Sequence, residues 1–319
     1  MNKKILTLAL FSVISTAHAE TVFVTLEKDN SLAVMNPVDG TLLKSVPVGK
    51  RPRGIALSPD NKSLYIATSD DNTIKIFDSQ TLKQTGHLPS GEDPETFAIS
   101  PTGDKMYVSN EDDSLVTVID LAKKKVIKQI KVGVEPEGIC VSPDNQWIIS
   151  ASETTNMVHW IDTKTQTIVD NTLVDARPRF VTFTADSSQL WVTSEMAGSL
   201  MVLDSKTKQP VKTITFNIQG VTADKIQPVG IAIDKNRTRA YVALGPANRI
   251  AVVNAQTLEV EKYLLVGSRV WHVAFSPDEK RLYTANGVSN DVSIIDLESQ
   301  TVTKSVGVGT SPWGVAVKP

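Results

Sequence analysis

An all-β chain of radially repeated four-stranded units is what the sequence predicts, on three observations. First, a short frame, x-Pro-x-Gly-(Ile/Val)-Ala, recurs with landmarks at Pro52, Pro94, Pro136, Pro178, Pro228, Val270 and Pro312, spaced 42, 42, 42, 50, 42 and 42 residues apart. Second, each interval holds four short β-rich runs separated by polar turns, as in GIALSPD, LYIAT and IKIFD. Third, the two ends carry complementary fragments: residues 21–49 supply three strands, residues 310–319 supply only the first strand of a unit, PWGVAV, and together they amount to about 40 residues, one period. A unit of this length cannot bury both faces alone, and repetition around an axis covers them. The fold class is therefore a seven-bladed β-propeller, four strands per blade, closed by a composite blade from the two termini.

The elements follow in chain order. Residues 1–19 place Lys3 and Lys4 before an apolar run ending in Ala-His-Ala, the pattern of a secretory signal peptide. A single propeller domain over residues 20–319 is expected after it, in the periplasm or outside the cell. The apolar run of the leader is too short to span a bilayer, and no later stretch approaches the roughly 20 apolar residues that a spanning helix needs; a retained N-terminal anchor is the other reading of residues 1–19. In each unit the GIALSPD-type strand should lie innermost. The loop leading into it then shares one face of the disc, the mouth of the central channel, with the loop between the second and third strands. Turns such as SPDNK fall on the opposite face, where Asp60 and Asn61 are expected as turn residues tolerating left-handed geometry. The 50-residue spacing inserts residues 217–225, NIQGVTADK, as a loop on the mouth face; a mobile flap and a plain surface loop are both open for it.

Composition narrows the partners. Without Lys3 and Lys4 the chain has 31 basic and 35 acidic side chains, so no general attraction to nucleic acid or anionic membrane is expected. The one cysteine, Cys140, cannot form an internal disulfide and alternates with Ile139 and Val141 as a small strand hydrophobe.

The units LYIATSDDNTIKIFD, MYVSNEDDSLVTVID and LYTANGVSNDVSIID resemble the YVTN-type propeller repeat across residues 20–319. The stretches NMVHWID, YVALGPANRIAVV, YLLVGSRVWHVAFSPDE and SPWGVAV are similar to the propeller subfamily associated with catabolism dependent on pyrroloquinoline quinone (PQQ). That resemblance implies an exported protein working beside alcohol oxidation or its transport system, with a periplasmic dehydrogenase or transport component as partner. It implies no catalytic residue.

With the frame constant, information lies in the flanks. The position after the landmark reads Arg53, Glu95, Glu137, Arg179, Val229, Trp271 and Trp313; the flank before it reads Arg51, Asp93, Glu135, Arg177, Gln227, Arg269 and Ser311. These columns should form two stacked rings of side chains at the mouth. One reading is structural: Arg53 pairs with Glu95 and Arg179 with Glu137 across neighbouring blades, for about 1 kcal/mol or less per exposed pair. The other is a ligand site. In it Arg51, Arg53, Arg177, Arg179 and Arg269 hold the carboxylates of an anionic planar molecule such as PQQ, Trp271 and Trp313 offer flat faces, and His272 stands beside them. Glu95, Asn110 and Glu137 are oxygen donors for a hard cation such as calcium.

No nucleophile elbow, phosphate-binding glycine loop or H-E-x-x-H is present, and His87, His159 and His272 are too scattered for a metal cage. The expected function is accordingly a non-catalytic binding or interaction module. The alternative is a propeller enzyme of lactonase or lyase type using mouth Arg and Glu residues, with His272 assisting. The loop acids discriminate the two. An enzyme should gather some of Glu27, Asp70, Glu111, Glu153 and Glu195 around one point, whereas an interaction surface should leave them spread over the face.

Overall fold

The computed structural model describes residues 20–319; the leader expected over residues 1–19 lies outside them. The described residues form 28 strands in seven antiparallel four-stranded sheets, the predicted seven-bladed propeller. Blade 1 is the composite one. Its innermost strand, Pro312–Lys318, pairs antiparallel with Thr21–Leu26, which is followed outward by Ser31–Asn36 and Thr41–Pro47. Blades 2 to 7 begin with the innermost strands Pro52–Leu57, Pro94–Ile99, Pro136–Val141, Pro178–Phe183, Ile231–Ile233 and Val270–Phe275. Among the described residues no helix is long and apolar enough to cross a membrane.

The core lies between blades. Residues from the middle strands alternate toward the two neighbouring sheets, so that Ile66, Leu64 and Phe77 of blade 2 pack with Phe23 and Leu32 of blade 1, while Tyr283 and Val292 of blade 7 pack with Val22 and Val24 on its other side. Each blade is thus covered on both faces only because the ring closes. Cys140, half-buried, packs on the cluster between blades 4 and 5, and burial pushes its thiol up.

The recurring frame has a steric reason. A side chain at Gly54 would come within 2.8 Å of the Glu95 carbonyl of the next blade, and one at Gly138 within 2.6 Å of the Arg179 carbonyl. Glycine lets neighbouring innermost strands approach backbone to backbone. Blade 3 carries Thr96 there, and its hydroxyl turns to donate to the Glu137 carbonyl.

A second repeated device is not apparent from the frame. Asn30, Asn72, Asn156, Asn248 and Asn290, in the loops between second and third strands, take left-handed φ values of 55°, 53°, 53°, 57° and 62°. Each side-chain oxygen accepts the backbone N–H of a residue 21 positions on, in the next blade: Arg51 at 2.9 Å, Asp93 at 3.0 Å, Arg177 at 2.9 Å, Arg269 at 2.8 Å and Ser311 at 3.0 Å. Those five residues are themselves left-handed, φ from 44° to 60°. The clips hold them in a conformation that side chains other than Gly, Asn and Asp rarely take. Opposite them, on the far face, Asn61 adopts the expected left-handed turn with φ 58°, and Asp60 accepts from Ser58 at 2.6 Å.

The inserted loop is anchored. Phe216, Ile218 and Ile226 are buried in the cluster between blades 5 and 6, and Asn217 N–H donates to the Tyr263 hydroxyl at 3.0 Å. Apolar side chains at both ends of the insertion hold it on the blade, and the residues between them lie at the surface, as the surface-loop reading expects.

Candidate active site at the channel mouth

Two backbone features aim the mouth side chains. The left-handed residues send each chain sharply into its innermost strand, and a β-bulge follows at once. The ladder register shifts between Pro52 and Ile55, Pro94 and Phe97, Pro136 and Ile139, Pro178 and Phe180, and Val270 and Val273. Arg53, Glu95, Glu137, Arg179, Trp271 and His272 therefore sit outside regular pairing, where a bulge re-aims side chains.

The two expected inter-blade pairs form. Arg53 ion-pairs Glu95, and Arg179 Nη1 lies 2.6 Å from Glu137 Oε2. Both pairs are buried, Glu95 at 0% exposure and Glu137 at 1%. The small surface value expected for them does not apply: both pairs are stripped of water, and removing a partner costs about 3–5 kcal/mol where it leaves the other charge unpaired. The loop acids join the same network. Glu27 accepts from Arg53 at 3.0 Å; Glu153 reaches Arg179 at 2.5 Å and Arg177 at 2.8 Å; Glu195 meets Arg177 at 3.1 Å and Arg269 at 3.2 Å. Arg51, in the outer ring, contacts Asp93 at 2.7 Å and Glu95 at 3.0 Å. Carboxylate oxygens of Asp93, Glu95 and Glu111 lie within 4.8 Å of one another.

Burial dominates the electrostatics. It lifts the Glu95 and Glu137 carboxyls well above the usual carboxylate range against the pull of Arg53 and Arg179 respectively. Glu111, half-buried at the rim, is raised by burial and then by the nearby Glu137 charge. The arginines respond in the opposite sense: Arg53 and Arg179 are raised because their acid partners outweigh desolvation. His272 is held down to about 3 by burial, with Arg179 and Arg53 close by, so it stays neutral. Its ring sits 4.1 Å from that of Trp313 and 5.4 Å from that of Phe180.

Several expected roles land differently. Trp313 is 2% exposed beneath Arg53, whose guanidinium lies 5.4 Å over its ring; Trp271 carries Arg269 at 4.3 Å and Arg179 at 5.8 Å. The aromatic platform is taken by the arginines, and the residues present do not fit PQQ as a stacked guest. Asn110 does not join Glu95 and Glu137 around a cation. Its amide donates to Ser90 at 2.9 Å and its oxygen accepts from Thr117 at 2.7 Å. The oxygens that gather are those of Asp93, Glu95 and Glu111, and Arg51 already counters the first two. His159 is a fixed structural residue of blade 4: Nδ1–H donates to Asn171 at 2.6 Å, and Nε2 accepts from Gly133 N–H at 2.9 Å. Asp93 and Glu111, expected at the mouth only as a ring position and a loop acid, are brought to Glu95. The signal that finds Glu111 is its place, 16 residues after Glu95, repeated by Glu153 after Glu137 and Glu195 after Arg179.

Fold and mouth together define a β-propeller whose channel opening holds a buried carboxylate–arginine centre. Residues 113–272, half of the chain, match the choice-of-anchor I domain, and the chain belongs to that family. Residues 18–127 match the lactonase, 7-bladed β-propeller family. No curated protein matches the chain. Among solved structures, a putative 6-phosphogluconolactonase from Bacteroides uniformis is 16% identical, with a TM-score of 0.80 over 94% of this chain and 100% of that one. The periplasmic gluconolactonase of Pseudomonas aeruginosa is 17% identical, with a TM-score of 0.78 over 94% and 99%. Hydrazine synthase of Kuenenia stuttgartiensis is 22% identical, with a TM-score of 0.56 over 77% and 95%. At these identities the likeness is one of fold. The non-catalytic module expected from the absence of catalytic motifs is overturned by the lactonase match, which favours the alternative of a propeller enzyme.

Proposed function

We propose that the chain is a lactonase-type enzyme that opens a lactone ring at the channel mouth, with Glu111 as general base and Arg51 as oxyanion donor. The observation that carries this is the gathering of the loop acids. Glu27, Glu153 and Glu195 converge on the mouth arginines, and Glu111 joins Asp93 and Glu95 beside Arg51. This is the arrangement expected of a reaction centre rather than of a dispersed contact surface.

Glu111 is suited to the base because it is accessible from the rim while burial raises its carboxyl toward the operating range. Glu95 is too enclosed, held by both Arg51 and Arg53. Water attacks the lactone carbonyl carbon and its proton passes to the Glu111 carboxylate. The carbonyl oxygen gains charge beside the Arg51 guanidinium. The ring carbon–oxygen bond then breaks, and Glu111 returns the proton to the leaving alkoxide, giving a hydroxy acid. The inner ions Arg53, Glu95, Glu137 and Arg179 position this pair. The lactonase match and the gluconolactonase folds support the reaction class. Periplasmic placement rests on the leader pattern of residues 1–19, and membership of the PQQ-associated subfamily rests on the quoted repeat motifs.

The test is acid release in a pH-stat with δ-valerolactone and glucono-δ-lactone. The unaltered chain should open at least one above the spontaneous rate, and Glu111→Gln should lower kcat by about 100-fold or more, the range of a lost general base. Equal rates with and without protein, or full activity in Glu111→Gln, would sink the assignment.

A further inference from the structure

Directly beneath the charged ring the channel changes character. A cavity of about 170 Å³ is lined by Ile55, Phe97, Ile139, Phe180, Val273 and Val315, together with His272 and Trp313. Ile55, Phe97, Ile139, Val273 and Val315 occupy one frame position, third after the landmark, so five blades contribute one apolar layer. None of the lining residues is charged at neutral pH.

Two buried polar atoms among these residues are unsatisfied. His272 Nε2 and Trp313 Nε1 have no hydrogen-bond partner, on side chains only 8% and 2% exposed. A buried indole N–H left unpaired costs about 1–3 kcal/mol, and Trp normally finds a partner when buried. Trp313 also touches the charged ring, through Arg53 at 5.4 Å. The cavity and the mouth therefore share a wall.

We infer that this cavity is a substrate subsite, receiving an aliphatic tail on the lactone, with Trp313 Nε1–H and His272 Nε2 placed to meet one hydroxyl or carbonyl oxygen on that tail where it carries one. The inference rests on the lactonase reading and names its substrate class: alkyl-substituted lactones in preference to sugar lactones. A polyhydroxylated or phosphorylated ring would find no cationic side chain below the ring of charges and only Trp313 Nε1 and His272 Nε2 free for its several hydroxyls, the Thr96 hydroxyl being given to the Glu137 carbonyl, whereas methylenes would be buried against five blades. The tail carries no charge, which suits a wall without one.

The experiment compares kcat/KM for δ-valerolactone, δ-octalactone, δ-decalactone and glucono-δ-lactone on the purified chain. Burying each added methylene should raise kcat/KM by about fourfold until the cavity is filled, with glucono-δ-lactone below all three. Val273→Phe and Val315→Phe, each checked for an unchanged fold by its melting curve, should pull the decalactone-to-valerolactone ratio toward one. A binding arm needs no turnover: hexanamide, which has the tail and one carbonyl but no ring to open, should raise the melting temperature and shift the Trp313 indole N–H resonance, assigned through Trp313→Phe. Lactone opening with no dependence on tail length, or a preference for glucono-δ-lactone, overturns the subsite and leaves the lactonase reading standing. If no lactone is opened, the lactonase reading fails, and with it the substrate role; hexanamide binding would then leave only a cavity for small apolar amides.

Discussion

Replacing Glu137 by glutamine removes one charge from the most enclosed part of the mouth, and the structure indicates that stability should rise at alkaline pH. Glu137 is 1% exposed, and it shares Arg179 Nη1 with Glu153, at 2.6 Å and 2.5 Å. At an effective dielectric of about 20, two unit charges about 4 Å apart interact by about 4 kcal/mol. The attraction of Glu137 to Arg179 and its repulsion from Glu153 are then of one size and largely cancel. The desolvation of a buried carboxylate is left over, in accord with burial as the first cause of its raised carboxyl. The sign follows from linkage. A carboxyl bound more tightly by protons in the folded chain contributes stability that is complete below its unfolded value of 4.5 and is lost as pH rises through the raised folded value. Glutamine cannot ionise, and its amide donates to Glu153, so this loss disappears. Glu137→Gln should therefore gain on the order of 1–2 kcal/mol at pH 8, seen as roughly 2–4 °C in melting temperature for a domain of this size. The gain should shrink toward zero at about pH 3.5, below the unfolded value, where Glu137 is protonated in the folded chain and largely so in the unfolded one. Thermal unfolding followed by circular dichroism at the two pH values is the assay. A fall in melting temperature at pH 8 would refute the reasoning, because it would mean that the ionised Glu137 is a net stabilising partner of Arg179.

Other changes probe the ring and the reaction separately. Deleting residues 310–319 removes the strand that closes blade 1, exposing the Thr21–Leu26 edge and two interblade faces; aggregation is expected by size-exclusion chromatography, and a monomer melting at the original temperature would contradict the closure. Asn156→Ala loses the clip to Arg177 N–H and leaves alanine at φ 53°, so stability should fall by about 1–2 kcal/mol, and by less in Asn156→Gly; equal losses would show that the left-handed backbone is not what the asparagine serves. Arg51→Ala should lower kcat on a lactone by about 100-fold or more, the scale of a lost oxyanion donor. An unchanged kcat would remove Arg51 from the reaction.

Much of this molecule can be read along the chain. The 42-residue frame, the two terminal fragments and the alternating runs lead to seven blades and their closure, and the reversed charges at Arg53, Glu95, Glu137 and Arg179 lead to the interblade pairs. What the spacing does not reveal is direction. The residue before proline ordinarily avoids helical backbone conformations, and nothing at Arg51 or Arg177 by itself announces a left-handed residue. It is held so by an asparagine in the preceding blade. The bulges after each landmark are equally silent in the sequence, yet they turn Arg53 and Glu137 into the mouth. Asn110 sits at the place in its strand where an oxygen ligand was expected, but Thr117 and Ser90 are nearer partners.

The blade is written into the chain, because it is made by local alternation, turn chemistry and a glycine where two backbones meet. The site is set by the closed ring. Arg269 meets Glu195 across 74 residues, and Thr25 bonds to Gly314 across 289. These contacts exist because seven small rotations between blades add up to a closed ring. The depth of each side chain in that ring then sets which carboxyls are stripped of water and which arginines cover the tryptophans. A repeat can specify its own fold many times over, but the convergence of its variable positions on a common axis is a property of the closed circle.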